Sequence, residues 1–82
     1  MKLPRDLSAA ELEKSLRRAF GYVLTRQKGS HRRLTTQAGG VHHLTIPDHD
    51  SLRPGTLRAI LAEVMMHHRL SLEQVLEELD FD

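Results

Sequence analysis

Residues 22–46, YVLTRQKGSHRRLTTQAGGVHHLTI, decide the fold of this chain. They contain three runs in which β-branched or aromatic residues recur between polar ones: residues 22–28, 31–36 and 41–46. Gly29 permits a tight reversal after the first run, and Gly39-Gly40 can adopt the positive φ that a hairpin turn requires. The pattern therefore predicts three antiparallel strands connected by two hairpins.

The predicted strands have two faces of different chemistry, because side chains alternate along a strand with a period of two. We expect the apolar face to pack against helices and to contain Leu24, Leu34, Leu44 and Ile46. The opposite face would carry His31, Arg33, Thr35, His43 and Thr45. This second face should be solvent-exposed and basic.

A helix is predicted before the strands. Ser8-Ala9-Ala10-Glu11 has the pattern of a capping box, and Leu7 and Leu12 occupy the two positions of a hydrophobic staple. The helix should therefore begin at Ser8 and end before Gly21, a residue type that commonly terminates helices.

Two further helices are predicted after the strands. Pro54-Gly55-Thr56 is typical of a helix start and precedes apolar residues at helical spacing. Ser71, with Gln74 three residues later, predicts a short third helix. The order α-β-β-β-α-(α) predicts a small two-layer α+β fold, in which a three-stranded antiparallel sheet has helices on one face. We expect residues 1–82 to form a single domain.

Composition excludes several classes of protein. Cysteine is absent from the 82 residues, so disulfides, thiolate metal sites and cysteine nucleophiles are excluded. The N-terminal residues lack the apolar segment of a signal peptide, and no stretch approaches the ~20 apolar residues that span a bilayer. We therefore expect a cytoplasmic protein without membrane contact.

Charge is divided unevenly along the chain. Residues 1–46 hold nine Lys and Arg against three Asp and Glu, a net charge of +6, and residues 47–82 hold three against eight, a net charge of −5. Such asymmetry favours a surface that binds a polyanion. The basic residues are densest in residues 26–33, RQKGSHRR, where His31 lies among four cations and no acid.

A histidine in such a cationic run can carry chemistry or none. The field attracts phosphate, and imidazole transfers protons readily near neutral pH. By position alone, however, a solvated turn histidine on a solvated strand is the more ordinary interpretation.

Four segments, taken in order, resemble the HicA (YcfA-like) family of toxins: residues 21–22, 26–31, 43–47 and 55–61. The most specific pieces are Lys28-Gly29-Ser30-His31 and Gly55-Thr56-Leu57, and the resemblance extends over about residues 7–79. It implies a fold like that of double-stranded-RNA-binding domains, ribosome-independent mRNA cleavage and neutralisation by a HicB-type antitoxin. The family's catalytic histidine corresponds to His31.

RNA can be cut without a metal or another cofactor, because its 2′-hydroxyl is an internal nucleophile. His31 could remove the hydroxyl proton or protonate the leaving oxygen, while cations neutralise the charge on phosphorus oxygens. The predicted RNA-binding residues are Arg26, Lys28, Gly29, Ser30, Arg32, Arg33 and His43. The group that assists His31 stays open between solvent, a cation, and His43 if its strand pairs beside His31.

Two histidine pairs, His42-His43 and His67-His68, raise the possibility of a metal site. Adjacent residues on a strand point to opposite faces, and no carboxylate follows either pair three or four residues later. We therefore predict no metal site. His42 could be partly buried and hydrogen-bonded, and His67-His68 should lie near a helix end, where the helix dipole favours their charged form.

Three functions are compatible with the sequence. The first is an mRNA interferase that an antitoxin inhibits by covering His31. The second is a non-catalytic RNA-binding module that uses the same basic face. The third is a protein-interaction domain without affinity for RNA. His31→Ala separates the first two. In an enzyme it should abolish cleavage and leave most RNA affinity, whereas a binding module would show no cleavage with either protein.

Overall fold

The computed structural model of the chain describes residues 3–81. Its elements in chain order are α1 (Ala9–Phe20), β1 (Val23–Lys28), β2 (His31–Thr36), β3 (His42–Pro47), α2 (Pro54–His68) and α3 (Leu72–Leu79). The predicted α+β fold with three antiparallel strands is confirmed; β2 has the predicted bounds, and β1 and β3 differ from the predicted strands by no more than one residue at an end. No helix in residues 3–81 has the length and apolar character needed to span a membrane.

Both predicted capping boxes are present. The Ser8 side chain accepts from the Glu11 amide, the Glu11 carboxylate accepts from the Ser8 amide, and Ser71 and Gln74 do the same at α3. At the other end of α1, Gly21 has φ 74° and donates its amide to the carbonyls of the last turn. These local bonds satisfy backbone groups that a helix end leaves unpaired, so the sequence fixes where α1 and α3 begin.

The sheet has the order β1-β2-β3, with β2 in the centre. Leu34 pairs with Leu24 on one side and with Leu44 on the other. Leu34 and Leu44 are buried, but Leu24 is 40% exposed. The prediction that Leu24 lies in the core is therefore wrong: β1 is an edge strand whose six residues are all exposed, and α2 packs on β3 instead.

The core lies between the helices and one face of β2 and β3. Its fully buried side chains include these residues of α1, α2, α3 and the two strands: Leu12, Leu16, Leu34, Leu44, Ile46, Leu57, Leu61, Val64, Val75 and Leu79. The Arg18 guanidinium also donates to the Leu79 carbonyl and links α1 to α3. Since the helices lie on one side, the opposite face of the sheet is left to the polar residues of the three strands.

Candidate functional site

The predicted catalytic histidine lies at a tight turn between β1 and β2. Lys28 is the last residue of β1, His31 is the first residue of β2, and the two are paired across the strands. Gly29 has φ 58°, a left-handed conformation that side chains disfavour, although a Cβ atom at this position would contact nothing within 4 Å. The turn therefore needs glycine for its backbone shape, and the space around it stays open.

The His31 side chain is exposed on the face of the sheet that the helices leave free. His31 and Arg33 are two residues apart on β2, opposite in direction to the buried Leu34. Within residues 3–81, no side chain forms a hydrogen bond with the His31 ring. The imidazole is therefore exposed and free of side-chain hydrogen bonds within the described residues.

A pair of arginines forms the next row on the same face. Arg26 of β1 lies directly opposite Arg33 of β2, two residues beyond the Lys28–His31 pair on each strand. Like charges at directly opposed positions destabilise a sheet. Neither arginine has an ion pair with a carboxylate in residues 3–81. An anion bound at this row would relieve the repulsion.

His43 lies on this face but far from His31. His43 pairs with Thr35, whereas His31 pairs with Pro47, so four residues of β2 separate the two histidines. At about 3.3 Å per residue this separation is about 13 Å. His43 could assist His31 only if the two residues were neighbours across the strands. The register shows that they are not. The His43 ring instead lies 2.8 Å from the Thr35 hydroxyl, which lies 2.8 Å from the Thr25 hydroxyl.

Arg32 points to the opposite face from its neighbours in the basic run. Its Nε and Nη2 atoms lie 2.8 and 2.7 Å from Oε1 of Glu13, a residue of α1 that is only 8% exposed. Oε1 of Gln27 lies 3.3 Å from Nη1, and Oδ2 of Asp48 lies 4.0 Å from it. Arg32 is therefore separated from the other predicted RNA-binding cations, and its charge is neutralised within the fold.

A cluster around Tyr22 was not foreseen from the sequence. Tyr22 is fully buried, and its hydroxyl lies 2.7 Å from Nδ1 of His42 and 2.9 Å from Nε2 of His68. Burial, with a contribution from the charge of Glu63, raises the pKa of Tyr22 to about 12. The sequence offers only a lone tyrosine and two histidine pairs as a signal. His42 follows Tyr22 by 20 residues and His68 follows it by 46, and no spacing rule predicts contacts over such separations.

The predicted environment of the second histidine pair is partly wrong. His67 and His68 do lie in the last turn of α2, as expected. The pKa of His68 is lowered, however, by burial and then by the neighbouring His67 and His42. Desolvation and like charge therefore outweigh the helix dipole, which favours the charged form. His42 is half-buried and hydrogen-bonded, as predicted.

Among residues 3–81, no three His, Asp or Glu side chains are arranged so that they could hold a metal ion.

One comparison with known proteins identifies a relationship. The model of a protein family described as "HicA toxin of bacterial toxin-antitoxin" matches residues 9–65, which include α1, the whole sheet and most of α2. No curated protein and no solved structure matches the chain significantly. The likeness to double-stranded-RNA-binding domains therefore stays a prediction.

Proposed function

The chain belongs to the HicA toxin family of bacterial toxin–antitoxin systems, and from this membership we propose that it is a metal-independent endoribonuclease that cuts mRNA with His31. One observation carries the proposal. An exposed imidazole stands opposite Lys28 and one row from the Arg26–Arg33 pair, on the open face of the sheet. RNA is a polyanion that such a face would bind through its phosphates.

The proposed reaction is an internal transfer at phosphorus. Neutral His31 takes the proton of the 2′-hydroxyl, the 2′-oxygen bonds to the adjacent phosphorus, and the bond from phosphorus to the 5′-oxygen breaks. The leaving oxygen receives a proton from solvent or from the imidazolium. The products are a 2′,3′-cyclic phosphate and a 5′-hydroxyl end, so no atom is supplied from outside the RNA except the exchanged proton.

The residues around His31 have separate proposed roles. Lys28 lies across the hairpin from His31 and can neutralise charge that grows on the phosphate oxygens. The Gly29-Ser30 backbone, which is exposed and unobstructed at the turn, can approach a phosphate with its N–H groups. Arg26 and Arg33 bind the phosphate of a flanking nucleotide. Arg32 acts as a positioning residue, because its pairing with Glu13 holds the start of β2 against α1.

The family also implies an antitoxin partner. We propose that a HicB-type antitoxin inhibits the protein by covering the face that carries His31. This face contains the unpaired cations of residues 26–33, so a partner with an acidic surface would fit it by charge complementarity. Co-expression with the product of the neighbouring reading frame should give a stable complex and relieve growth arrest. Failure of both would contradict the proposed partner and leave the RNA cleavage proposal to its own test.

The cleavage proposal is tested with a labelled transcript in excess EDTA. Wild type and His67→Ala should produce fragments with cyclic phosphate ends, whereas His31→Ala should lose at least about 100-fold in rate, the usual contribution of a general acid or base. His67 is a matched control, because it is a histidine in the last turn of α2 that stacks on His42, at the opposite end of the sheet from His31. RNA affinity of His31→Ala should stay within about threefold of wild type. Equal cleavage by His31→Ala would contradict the proposal.

The alternative function, a non-catalytic RNA-binding module, is favoured by one observation. His43, the imidazole considered as a partner for His31, does not lie beside it, since the sheet register places His43 four residues away. A module would bind the transcript with strong salt dependence and would not cut it. Wild-type protein that binds the transcript and yields no fragments at any pH between 5 and 9 would therefore support the module and exclude the enzyme.

A further inference from the structure

Three imidazoles and one phenol meet where the end of α2 reaches the sheet. His42 pairs with Thr36, the last residue of β2, so the cluster lies at the opposite end of this strand from His31. The His67 ring stacks on the His42 ring with centroids 4.3 Å apart and planes at 8°. The His68 ring lies 4.7 Å from the His67 ring and contacts Phe20 at 4.6 Å. Because the rings are so close, electrostatic repulsion disfavours a second positive charge in the cluster.

The Tyr22 hydroxyl bridges two of the rings and limits the protons they can hold. It lies within hydrogen-bond distance of His42 Nδ1 and His68 Nε2, and it has one proton to donate. With neutral rings, the hydroxyl donates to one nitrogen and accepts an N–H from the other. If both rings are cationic, both facing nitrogens carry hydrogen and the hydroxyl proton has no acceptor. The second protonation therefore leaves the buried hydroxyl proton without an acceptor and places two positive rings against one oxygen, which destabilises the bridge.

The third ring connects the cluster to the turn between β2 and β3. His67 donates from Nε2 to the Ala38 carbonyl at 2.9 Å. A Cβ atom at Gly39 would lie 3.6 Å from the same nitrogen, so the ring lies directly on the turn. The cluster thereby joins the end of α2 to three places: the start of β1, the start of β3 and the turn.

Burial and the neighbouring imidazoles favour the neutral forms of His42 and His68. Burial is the largest cause that lowers the pKa of His42, followed by His67; His43 lowers it further, and Glu63 alone raises it. Burial, His67 and His42 lower the pKa of His68. A histidine whose pKa is lower in the folded than in the unfolded state binds a proton more tightly in the unfolded state, so acid favours its release from the fold. Stability is then complete above about pH 6.5 and is lost as the pH falls through the lowered values.

We propose that Tyr22, His42, His67 and His68 form a proton-sensitive latch, which holds the end of α2 and the β2–β3 turn against the sheet when the rings are neutral and releases them on acidification. The latch is independent of the proposed RNA cleavage, because it shares no residue with the His31 turn. Its effect is a local opening of the last turn of α2, Met65 to His68, together with residues 37–41.

Amide hydrogen exchange of the wild-type protein between pH 7.5 and 5 tests the latch. Protection factors, which correct for the intrinsic pH dependence of exchange, should fall for residues 65–70 and 37–41 while those of α1 stay constant. Each ring that is neutral in the closed form and charged in the open form contributes about tenfold per pH unit to the opening equilibrium. Constant protection in both segments over this pH range would overturn the proposal.

Variants identify the rings that are responsible. His42→Gln and His68→Gln keep hydrogen-bonding capacity and remove titration, so either should reduce the acid-induced loss of protection. His49→Gln, the same change at an exposed loop position, should not. If a cluster variant does not fold, imidazole resonances of the wild type decide: His42 and His68 should have a pKa below the usual histidine value of 6.5. Unchanged exchange in both variants, or an ordinary pKa for both rings, would contradict the latch.

Discussion

Arg32 and Arg33 are neighbours in the chain and lie on opposite faces of the sheet, with opposite electrostatic surroundings. Arg32 is neutralised by Glu13 at 2.7 Å, whereas Arg33 is placed opposite another cation, Arg26. The first arrangement stabilises the fold, and the second destabilises it unless an anion is bound. A basic run that is uniform in sequence is thus divided by the pleat of β2 into a structural part and a part that is open to a polyanion.

Substitution of Arg33 by Gln should weaken RNA binding without a loss of stability. Removal of one phosphate contact should lower the slope of log affinity against log salt concentration by about 1. Relief of the repulsion from Arg26 should raise the free energy of unfolding by about 0.5 kcal/mol. Filter binding at several KCl concentrations and urea denaturation measure the two effects. Arg58→Gln, at an exposed position of α2, is the control. An unchanged salt slope would exclude Arg33 from the RNA interface.

Substitution of Arg32 by Met should have the reverse pattern. Glu13 would keep a carboxylate that is nearly buried and has lost its ion pair, so the free energy of unfolding should fall by about 2–4 kcal/mol. Glu13→Gln should cost about 1–2 kcal/mol, because it removes only the charge of the acceptor. Urea denaturation measures both, with Lys14→Gln as the exposed control on the same helix.

The RNA salt slope of Arg32→Met should equal that of wild type at a temperature where the variant is folded. A slope reduced by about 1 would instead place Arg32 among the phosphate contacts.

Local features of this fold were predictable, and long-range ones were not. Ser8 and Ser71 identify helix starts because a capping box involves residues only three apart. The exposed Leu24 obeys the same alternation as Leu34, but whether a helix covers an edge strand depends on packing that alternation does not encode. His43 was assigned to the correct face, yet its distance from His31 depends on the strand register.

Leu34 and Leu24 form a matched pair for a test of the asymmetric core. They are paired across β1 and β2, but Leu34 is fully buried and Leu24 is 40% exposed. Leu34→Ala should lower the free energy of unfolding by about 2–5 kcal/mol through lost burial and a cavity. Leu24→Ala should lower it by less than about 1 kcal/mol. Chemical denaturation of both variants measures the difference, and equal losses would contradict the open position of β1.

Tyr22 should determine the alkaline limit of stability. Its pKa is raised from 10.0 to about 12 in the folded protein, so the folded state holds the proton more tightly than the unfolded state. The resulting stabilisation is complete below pH 10 and is lost as the pH rises toward 12, with a total of about 3 kcal/mol. Because Tyr22 is the only tyrosine and tryptophan is absent, phenolate absorbance reports this single group.

Tyr22→Phe should abolish this pH dependence. It should also lower the free energy of unfolding by about 1–2 kcal/mol at pH 7, because two imidazole nitrogens lose their shared partner. Ionisation of the wild-type phenol near pH 10 with the fold intact would show that the hydroxyl is not held in the buried bridge.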